Sequence, residues 1–181
     1  NTSSGVSVVT YTGTGSATTI GHGLGVAPKI IITKSLTTAA FAGFGNGSTN
    51  FLADPWTDYV QFAQTATTLA DLDTLWNDTA PTTTVFSVKS STQTNKSSDS
   101  YVAYCFAEIQ GFSKFGFYIG NGNAEGVKIY CGFRPKFVMI KNIDASEDWV
   151  GKASGLTGYG LGGQRTRSFY FGRQETGTNA T

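Results

Sequence analysis

An internal repeat limits the folds open to this chain more than any other feature of its 181 residues. When the sequence is shifted by 107 positions, residues 11–34 align without a gap on residues 118–141 and share 8 identities with them. Because self-similarity at a fixed period reflects repeated structure, the sequence predicts one unit that occurs twice. The identical residues, each with its counterpart 107 positions later, are Tyr11, Gly13, Gly15, Ala17, Gly25, Pro28, Lys29 and Lys34.

Composition favours strands over helices. The chain has 23 Gly and 4 Pro, with 13% aromatic but only 14% charged residues. Thr, Tyr, Phe, Val and Ile suit a pleated sheet, whereas Gly, Asn and Asp suit tight turns. A period near 100 residues is the size of an antiparallel sandwich. We therefore predict an all-β fold of two tandem antiparallel β-sandwich units, Ig-like or jelly-roll-like, at residues 1–110 and 111–181.

Apolar runs predict the strands of the first unit. The continuous run at residues 30–32, bounded by Lys29 and Lys34, indicates a strand buried on both faces. The glycine-rich residues 42–50 predict a loop, and residues 69–76 are compatible with either a helical turn or a strand. The other predicted strands of this unit are residues 6–11, 17–20, 82–88 and 101–109.

The second unit is expected to be incomplete. Its predicted strands are residues 115–118, 126–130 and 136–141. Phe169 precedes the pair Thr178-Asn179 much as Phe86 precedes Thr94-Asn95, yet no run like 101–109 follows. The unit is thus predicted to lack its closing strand, either because the chain is truncated or because another copy supplies a strand in trans.

The first predicted strand is the candidate for such a contact between copies. Its candidate contact residues are Val6, Val8, Val9 and Tyr11. Residues 1–110 carry 4 Lys/Arg and 7 Asp/Glu, a net −3, whereas residues 111–181 carry 9 and 5, a net +4. This asymmetry is either scatter over solvated surfaces or head-to-tail complementarity between copies. The expected partners are copies of the chain itself, as a trimer or a helical polymer.

Several other partners are not expected. No dense Lys/Arg stripe with interleaved aromatics indicates nucleic-acid binding. No apolar run approaches the roughly 18–20 residues of a membrane span, so no membrane insertion is predicted. Cys105 and Cys131 are either two buried free thiols or a bridged pair.

Residue patterns for catalysis are weak. His22 is the single histidine and lies in a Gly-rich turn, where a loop-fixing hydrogen bond is its expected role. The acidic pairs Asp54/Asp58 and Asp71/Asp73 fit no calcium-loop pattern. One His and two distant Cys lack the spacing of metal ligands. We therefore expect no enzyme activity, no cofactor and no metal.

Aromatic residues near polar ones provide candidate glycan contacts. Sugar rings stack on exposed aromatic faces that are flanked by hydrogen-bonding side chains. Trp56, Tyr59 and Trp149 are the candidates, although large aromatics also fill sandwich cores.

Two stretches carry a resemblance to a known family. They run from Tyr11-Thr-Gly-Thr-Gly to Pro28-Lys-Ile-Ile-Ile-Thr-Lys34, and from Tyr101-Val-Ala-Tyr-Cys-Phe-Ala to Pro135-Lys-Phe-Val-Met-Ile-Lys141. Both resemble an uncharacterised repeat domain of bacteriophage tail-fibre-like and other virion proteins. The resemblance implies an extracellular structural or host-attachment role, in a virion or cell-surface appendage, and no catalytic residues.

Three functions follow as expectations. The first is a non-enzymatic extracellular structural module of the tail-fibre kind. The second is a subunit of a homopolymeric filament joined by strand complementation, and the third is a glycan-binding domain that contacts the host surface.

Overall fold

The computed structural model describes residues 2–47, 56–57, 73–157 and 166–171. Within these ranges the chain is mostly β-strand, with one helical turn and a 3₁₀ turn at Thr2–Ser4. The all-β expectation is therefore confirmed for the described residues. In chain order the elements are β1 (Val6–Thr12), β2 (Thr18–Gly21), β3 (Ile30–Ser35), β4 (Gly43–Asn46), α1 (Asp73–Trp76), β5 (Val85–Val88), β6 (Ser100–Phe106), β7 (Phe137–Ile140), β8 (Trp149–Thr157) and β9 (Thr166–Phe171).

The strands form three antiparallel sheets. The largest has the order β1-β6-β3-β4, a second contains β2 and β5, and the third has the order β7-β8-β9. In the first sheet Ile31 lies opposite Cys105 of β6 and also opposite Gly45 of β4. In the second sheet Ile20 lies opposite Phe86. Among the described strands, β6 and β3 are thus central, whereas β1 and β4 lie at the edges.

β3 is buried on both faces, as its continuous apolar run predicts. Ile31 faces one core, where α1 and β5 cover the first sheet. Ile30 and Ile32 face the other side and pack with Trp149. Because side chains alternate along a strand, a strand between two layers needs apolar residues at successive positions.

The third sheet repeats part of the first. All four residue pairs of β3–β4 recur in β7–β8 with both residue numbers raised by 107. Thus Ile31 lies opposite Gly45, and Val138 lies opposite Lys152. The sequence repeat therefore corresponds to a repeated strand pair in the same register.

Hydrogen bonds outside the strands repeat as well. The Gly47 amide donates to the Lys29 carbonyl at 2.9 Å, and the Ser154 amide donates to the Lys136 carbonyl at 2.7 Å. Each of these four residues has its counterpart 107 positions away.

The two identical lysines of the repeat act alike. Lys34 Nζ donates to the Ala40 carbonyl, and Lys141 Nζ donates to the Glu147 carbonyl at 2.6 Å. Each ammonium group satisfies a carbonyl in the loop between the paired strands, which explains why both copies keep lysine at this position.

Two strands expected in the second unit do not form. Residues 115–118 and 126–130 are irregular and largely exposed. In the first unit the matching strands β1 and β2 pair with β6 and β5, respectively. No described strand takes the place of β5 or β6 in the second unit, and a strand without a partner leaves its backbone groups to water.

Two further sequence expectations were wrong. Part of the glycine-rich stretch 42–50 forms β4, which pairs with β3. Gly45 is needed in this strand because a side chain there would collide with the Trp56 and Trp76 rings. The sequence predicts that Phe169 corresponds to Phe86, but Phe86 lies opposite Ile20 of β2 whereas Phe169 lies opposite Gly151 of β8. The open choice at residues 69–76 is decided for its last four residues, which form α1.

Candidate functional site

The single histidine is part of the core. His22 is fully buried, and its Nδ1 accepts a hydrogen bond from the Leu24 amide at 3.2 Å. Its Nε2 therefore carries the proton and donates to the Thr82 carbonyl at 3.2 Å. With both ring nitrogens engaged, the imidazole fixes the turn after β2, as the sequence predicts.

Of the candidate acidic pairs, Asp73 lies in the described residues and makes a structural contact. Asp73 forms an ion pair with Lys89 between α1 and the residue after β5. No group of three or more His, Cys, Asp or Glu in the described part of the chain is arranged to hold a metal ion. Asp54, Asp58 and Asp71 lie outside the described residues.

Asp99 anchors the loop that precedes β6. Ser35 Oγ donates to its Oδ2 at 3.0 Å, and Lys96 Nζ lies 3.6 Å from its Oδ1. Hydrogen bonds from Thr38, and then from Ser35, hold the pKa of this carboxyl below its usual range. The charge thus stabilises the loop after β3.

Asn95 is a polar centre that sequence reasoning missed. Its buried Oδ1 accepts from the Thr14 amide at 2.8 Å, and its Nδ2 donates to the Ser16 carbonyl at 2.7 Å. The Gly15 amide also donates to the Asn95 carbonyl at 2.9 Å. Asn95 therefore joins the turn after β1 to the loop before β6. The sequence signal that could have indicated this contact is the pair Gly13 and Gly15 in the turn, which recurs in the second copy.

Two glycan candidates lie in the cores. Trp56 and Trp149 are each only 4% exposed. Trp56 packs edge-on against Trp76 with ring centroids 5.8 Å apart, and Trp149 packs in the same way against Phe44 at 5.0 Å. A sugar needs an open ring face for stacking, and neither indole offers one. Tyr59 lies outside the described residues.

The candidate contact strand β1 is an edge strand with two different faces. Val9 and Tyr11 pack against the core of the first unit, and Tyr11 stacks on Tyr101 with ring centroids 5.2 Å apart. Val8 points away from that core and is 57% exposed, while Val6 is half-buried. Of the four candidates, Val8 is therefore the one available for contact with a partner.

The second unit exposes many apolar side chains. They include residues of the irregular segment after β6 and residues of β7, and Tyr130 is the most exposed of them. Monomeric proteins normally keep large apolar patches out of water, so this exposed surface is a candidate interaction site. The described residues of this kind are Phe112, Phe117, Tyr118, Ile119, Val127, Ile129, Tyr130, Phe137, Val138 and Ile140.

The two cysteines are free thiols. Cys105 is fully buried in β6, where it faces the core of the first unit. Cys131 is half-buried in the irregular segment of the second unit. Burial raises the pKa of the Cys105 thiol to about 12, which leaves it protonated and unreactive near neutral pH.

Comparison with known protein families gives a match over most of the chain. The model of a family described as a domain of unknown function, DUF7483, matches residues 1–162. The match therefore includes both copies of the sequence repeat, residues 11–34 and 118–141. No curated protein and no solved structure matches the chain. No helix in the described ranges is long and apolar enough to span a membrane.

Proposed function

We propose that this chain, which belongs to the DUF7483 family, is a non-enzymatic extracellular structural protein. It consists of two tandem β-sandwich units and serves in a bacteriophage tail-fibre-like assembly and in attachment to the host surface. The observation that carries this proposal is the packing of one repeat copy against the other, in which Trp149 of β8 meets Phe44 of β4. A shared core of this kind holds consecutive units in a fixed relation, as an elongated module requires.

The shared core joins equivalent strands of the two copies. Ile30 and Ile32 of β3 pack in the same cluster as Met139 of β7, which is the counterpart of Ile32. A repeat protein stabilises its units through such neighbour contacts, and its length grows with the number of units. Such contacts between adjacent units would also make a fibre stiff.

The buried polar groups support a structural role. His22, Asn95 and Asp99 are all buried, and each makes hydrogen bonds that fix a loop between strands. The His22 ring nitrogens contact only backbone groups in these hydrogen bonds. Attachment would instead arise from multivalency, in which weak contacts become strong when many copies are held in one object.

A homopolymeric filament is the second candidate, and β1 favours it. Edge strands of soluble proteins usually carry Lys or Pro, which prevent pairing with other chains. The sequence of β1, Val-Ser-Val-Val-Thr-Tyr-Thr, has neither, and Val8 is exposed. An edge of this composition can accept a strand from the next subunit.

The oligomeric state of the purified chain tests the assembly role. Sedimentation over a range of concentrations, together with electron microscopy, should show a trimer or a helical polymer. Val8→Lys should weaken a filament that joins through β1, because a charge at the junction loses its hydration. Leu36→Lys is the matched control, since Leu36 is also exposed and apolar but lies outside β1. A chain that stays monomeric at all concentrations would contradict both candidates.

Attachment needs a separate measurement. The chain is displayed as single copies and on a trimeric carrier, and binding to immobilised bacterial surface polysaccharides is compared. The trimer should bind far more tightly because the second and third contacts become intramolecular. Release of soluble sugars from the polysaccharide would show that the chain is an enzyme.

A further inference from the structure

In the described part of the chain, β7 has a neighbouring strand on one side only. Its counterpart β3 lies between β4 and β6, whereas among the described residues β7 pairs with β8 alone. Since β8 takes the place of β4, the edge without a described partner is the one that β6 occupies beside β3. We call this edge of Phe137–Ile140 the open edge.

The side chains beside the open edge are exposed where their counterparts are covered. Val138 is 40% exposed, whereas Ile31, at the same position of the first unit, is fully buried. Ile140 is likewise exposed and its counterpart Thr33 is buried. In the first unit α1 and β5 form the layer that covers Ile31. The second unit has the apolar face of the repeat without this cover in the described residues.

A glycine gives independent evidence for a missing contact. Gly13 must be glycine because a Cβ there would collide with the Lys96 carbonyl oxygen and lie 3.1 Å from the Asn95 carbonyl carbon. The repeat keeps glycine at Gly120, although nothing lies within 4 Å of a Cβ at that position. The described contacts therefore give no reason for glycine at Gly120, whereas a loop like that around Asn95 would require it.

The turn that contains Gly120 is also shaped like the first one. Gly122 has a φ of 64°, and its counterpart Gly15 has a φ of 72°. In the first unit the Gly15 amide donates to Asn95 of the loop between β5 and β6. The turn of the second unit thus keeps the left-handed glycine that presents this amide.

We propose that the open edge is a docking site for a segment of the β5–β6 kind, supplied by another polypeptide of the same family. The segment would pair with β7, cover Val138 and Ile140, and place its Asn-containing loop against Gly120. The proposal rests on the proposed two-unit organisation and identifies what the second unit binds.

The register of the first unit defines the fit. There Cys105 lies opposite Ile31 and Ala103 lies opposite Thr33. A docked segment therefore places a small residue opposite Val138 and another opposite Ile140. Small side chains on one face of β6 leave room for the aromatic residues of the covering layer.

Copies of residues 1–181 cannot fill all these sites. The described residues of each copy contain one β5–β6 segment and two places for it, and its own first unit already holds β6 between β1 and β3 and pairs β5 with β2. A copy that donated the segment would lose the centre of its own first sheet. The occupant is accordingly a separate segment with the same sequence pattern.

A synthetic peptide of residues 82–107 is the probe. Labelled with a fluorophore at its N-terminus, it is titrated with the 181-residue chain under reducing conditions, and anisotropy measures binding. Hydrogen exchange then reports where it binds. We expect saturable one-to-one binding and slower exchange of the amides of Phe137–Ile140. No binding, or slower exchange confined to β3, would overturn the proposal.

Two alanine variants make the test specific. Gly120→Ala should weaken peptide binding by about tenfold or more, since the new Cβ meets the incoming loop. Gly116→Ala should leave binding unchanged, because Gly116 is exposed and aligns with Val9 instead of a glycine. Neither glycine has a positive φ, and no atom lies within 4 Å of a Cβ added at either position. Both variants should therefore fold. Equal binding by the two variants would overturn the proposed contact at Gly120.

The outcomes separate this proposal from the proposed function. If the chain assembles but does not bind the peptide, the docking site is wrong and the structural role stands. If copies associate through the open edge without peptide, as judged by slower exchange in β7 on dimerisation, the occupant is a second copy and the proposal is overturned. Peptide binding by a chain that never assembles would contradict the structural role alone.

Discussion

Trp149 packs edge-on against Phe44, with ring centroids 5.0 Å apart and ring planes at 65°. The contact joins β8 of the second unit to β4 of the first, and Ile30 completes the cluster. The two residues are not counterparts in the repeat, because Trp149 aligns with Ala42 and Phe44 aligns with Gly151. A large ring in one copy thus meets a large ring in the other, while each aligned partner is small.

We expect Trp149→Ala to lower the free energy of unfolding by about 3–5 kcal/mol, the usual loss for a buried aromatic residue. Urea denaturation followed by circular dichroism measures the change. Tyr130→Ala is the control, because Tyr130 is 93% exposed and its removal leaves no cavity. An equal effect of the two substitutions would contradict the buried contact with Phe44.

Gly45→Ala should destabilise the first unit by about 1–3 kcal/mol through overpacking. A Cβ at this position would lie 2.9 Å from Cε2 of Trp76 and would also collide with the Trp56 ring. Thermal unfolding and tryptophan fluorescence together show whether the rings move. Gly21 is in β2, and no atom lies within 4 Å of a Cβ added there. Gly21→Ala should therefore change the melting temperature little.

Stability should fall in acid because of Asp99. Its pKa is lowered in the folded state by hydrogen bonds from Thr38 and Ser35, so the folded chain binds protons less readily than the unfolded chain. The stabilisation is complete above the unfolded pKa of about 3.9 and is lost as the pH falls through the lower folded value. Urea midpoints measured from neutral pH down to pH about 3 follow this loss.

Asp99→Asn should flatten that pH dependence and lower stability at neutral pH. Asp144→Asn is the control, since Asp144 is exposed on the second unit. If both variants keep the slope of the parent chain, Asp99 is not its source.

The two thiols should differ in reactivity. A thiol reagent at mildly alkaline pH should modify Cys131 in the folded chain and both cysteines after unfolding, because Cys105 is fully buried. Burial raises the pKa of Cys105 to about 12, so the folded chain keeps this proton where an unfolded thiol, with a pKa of about 8.5, loses it. Stability should therefore fall as the pH rises above about 8.5, and Cys105→Ala should make that fall smaller. Rapid modification of both thiols in the folded chain would contradict the burial.

Periodic patterns in the sequence predicted β1, β2, β3, β5 and β6 within a few residues. The strand β3 was the clearest case, because three successive isoleucines fit only a strand with apolar layers on both faces. The local pattern does not predict β4, because glycines such as Gly43 and Gly45 are typical of loops. Their role depends on Thr33 and the Trp56 and Trp76 rings, which are distant in sequence.

Aromatic residues show the same limit. A sequence does not distinguish a tryptophan that presents its face to a sugar from one that fills a core, since both occur beside polar residues. The tertiary structure places Trp56 and Trp149 in two different cores, one on each side of β3.

The sequence by itself determined that the described chain is all-β and that residues 11–34 recur 107 positions later, because alternation and self-similarity can be read along the chain. The tertiary structure decided which parts of the repeat become strands. β7 and β8 form strands because they pair with each other in the same register as β3 and β4. Residues 115–118 and 126–130 have no described pairing partner and are irregular. A strand needs a neighbouring strand to satisfy its backbone hydrogen bonds. The local sequence of a strand does not reveal which other segment pairs with it.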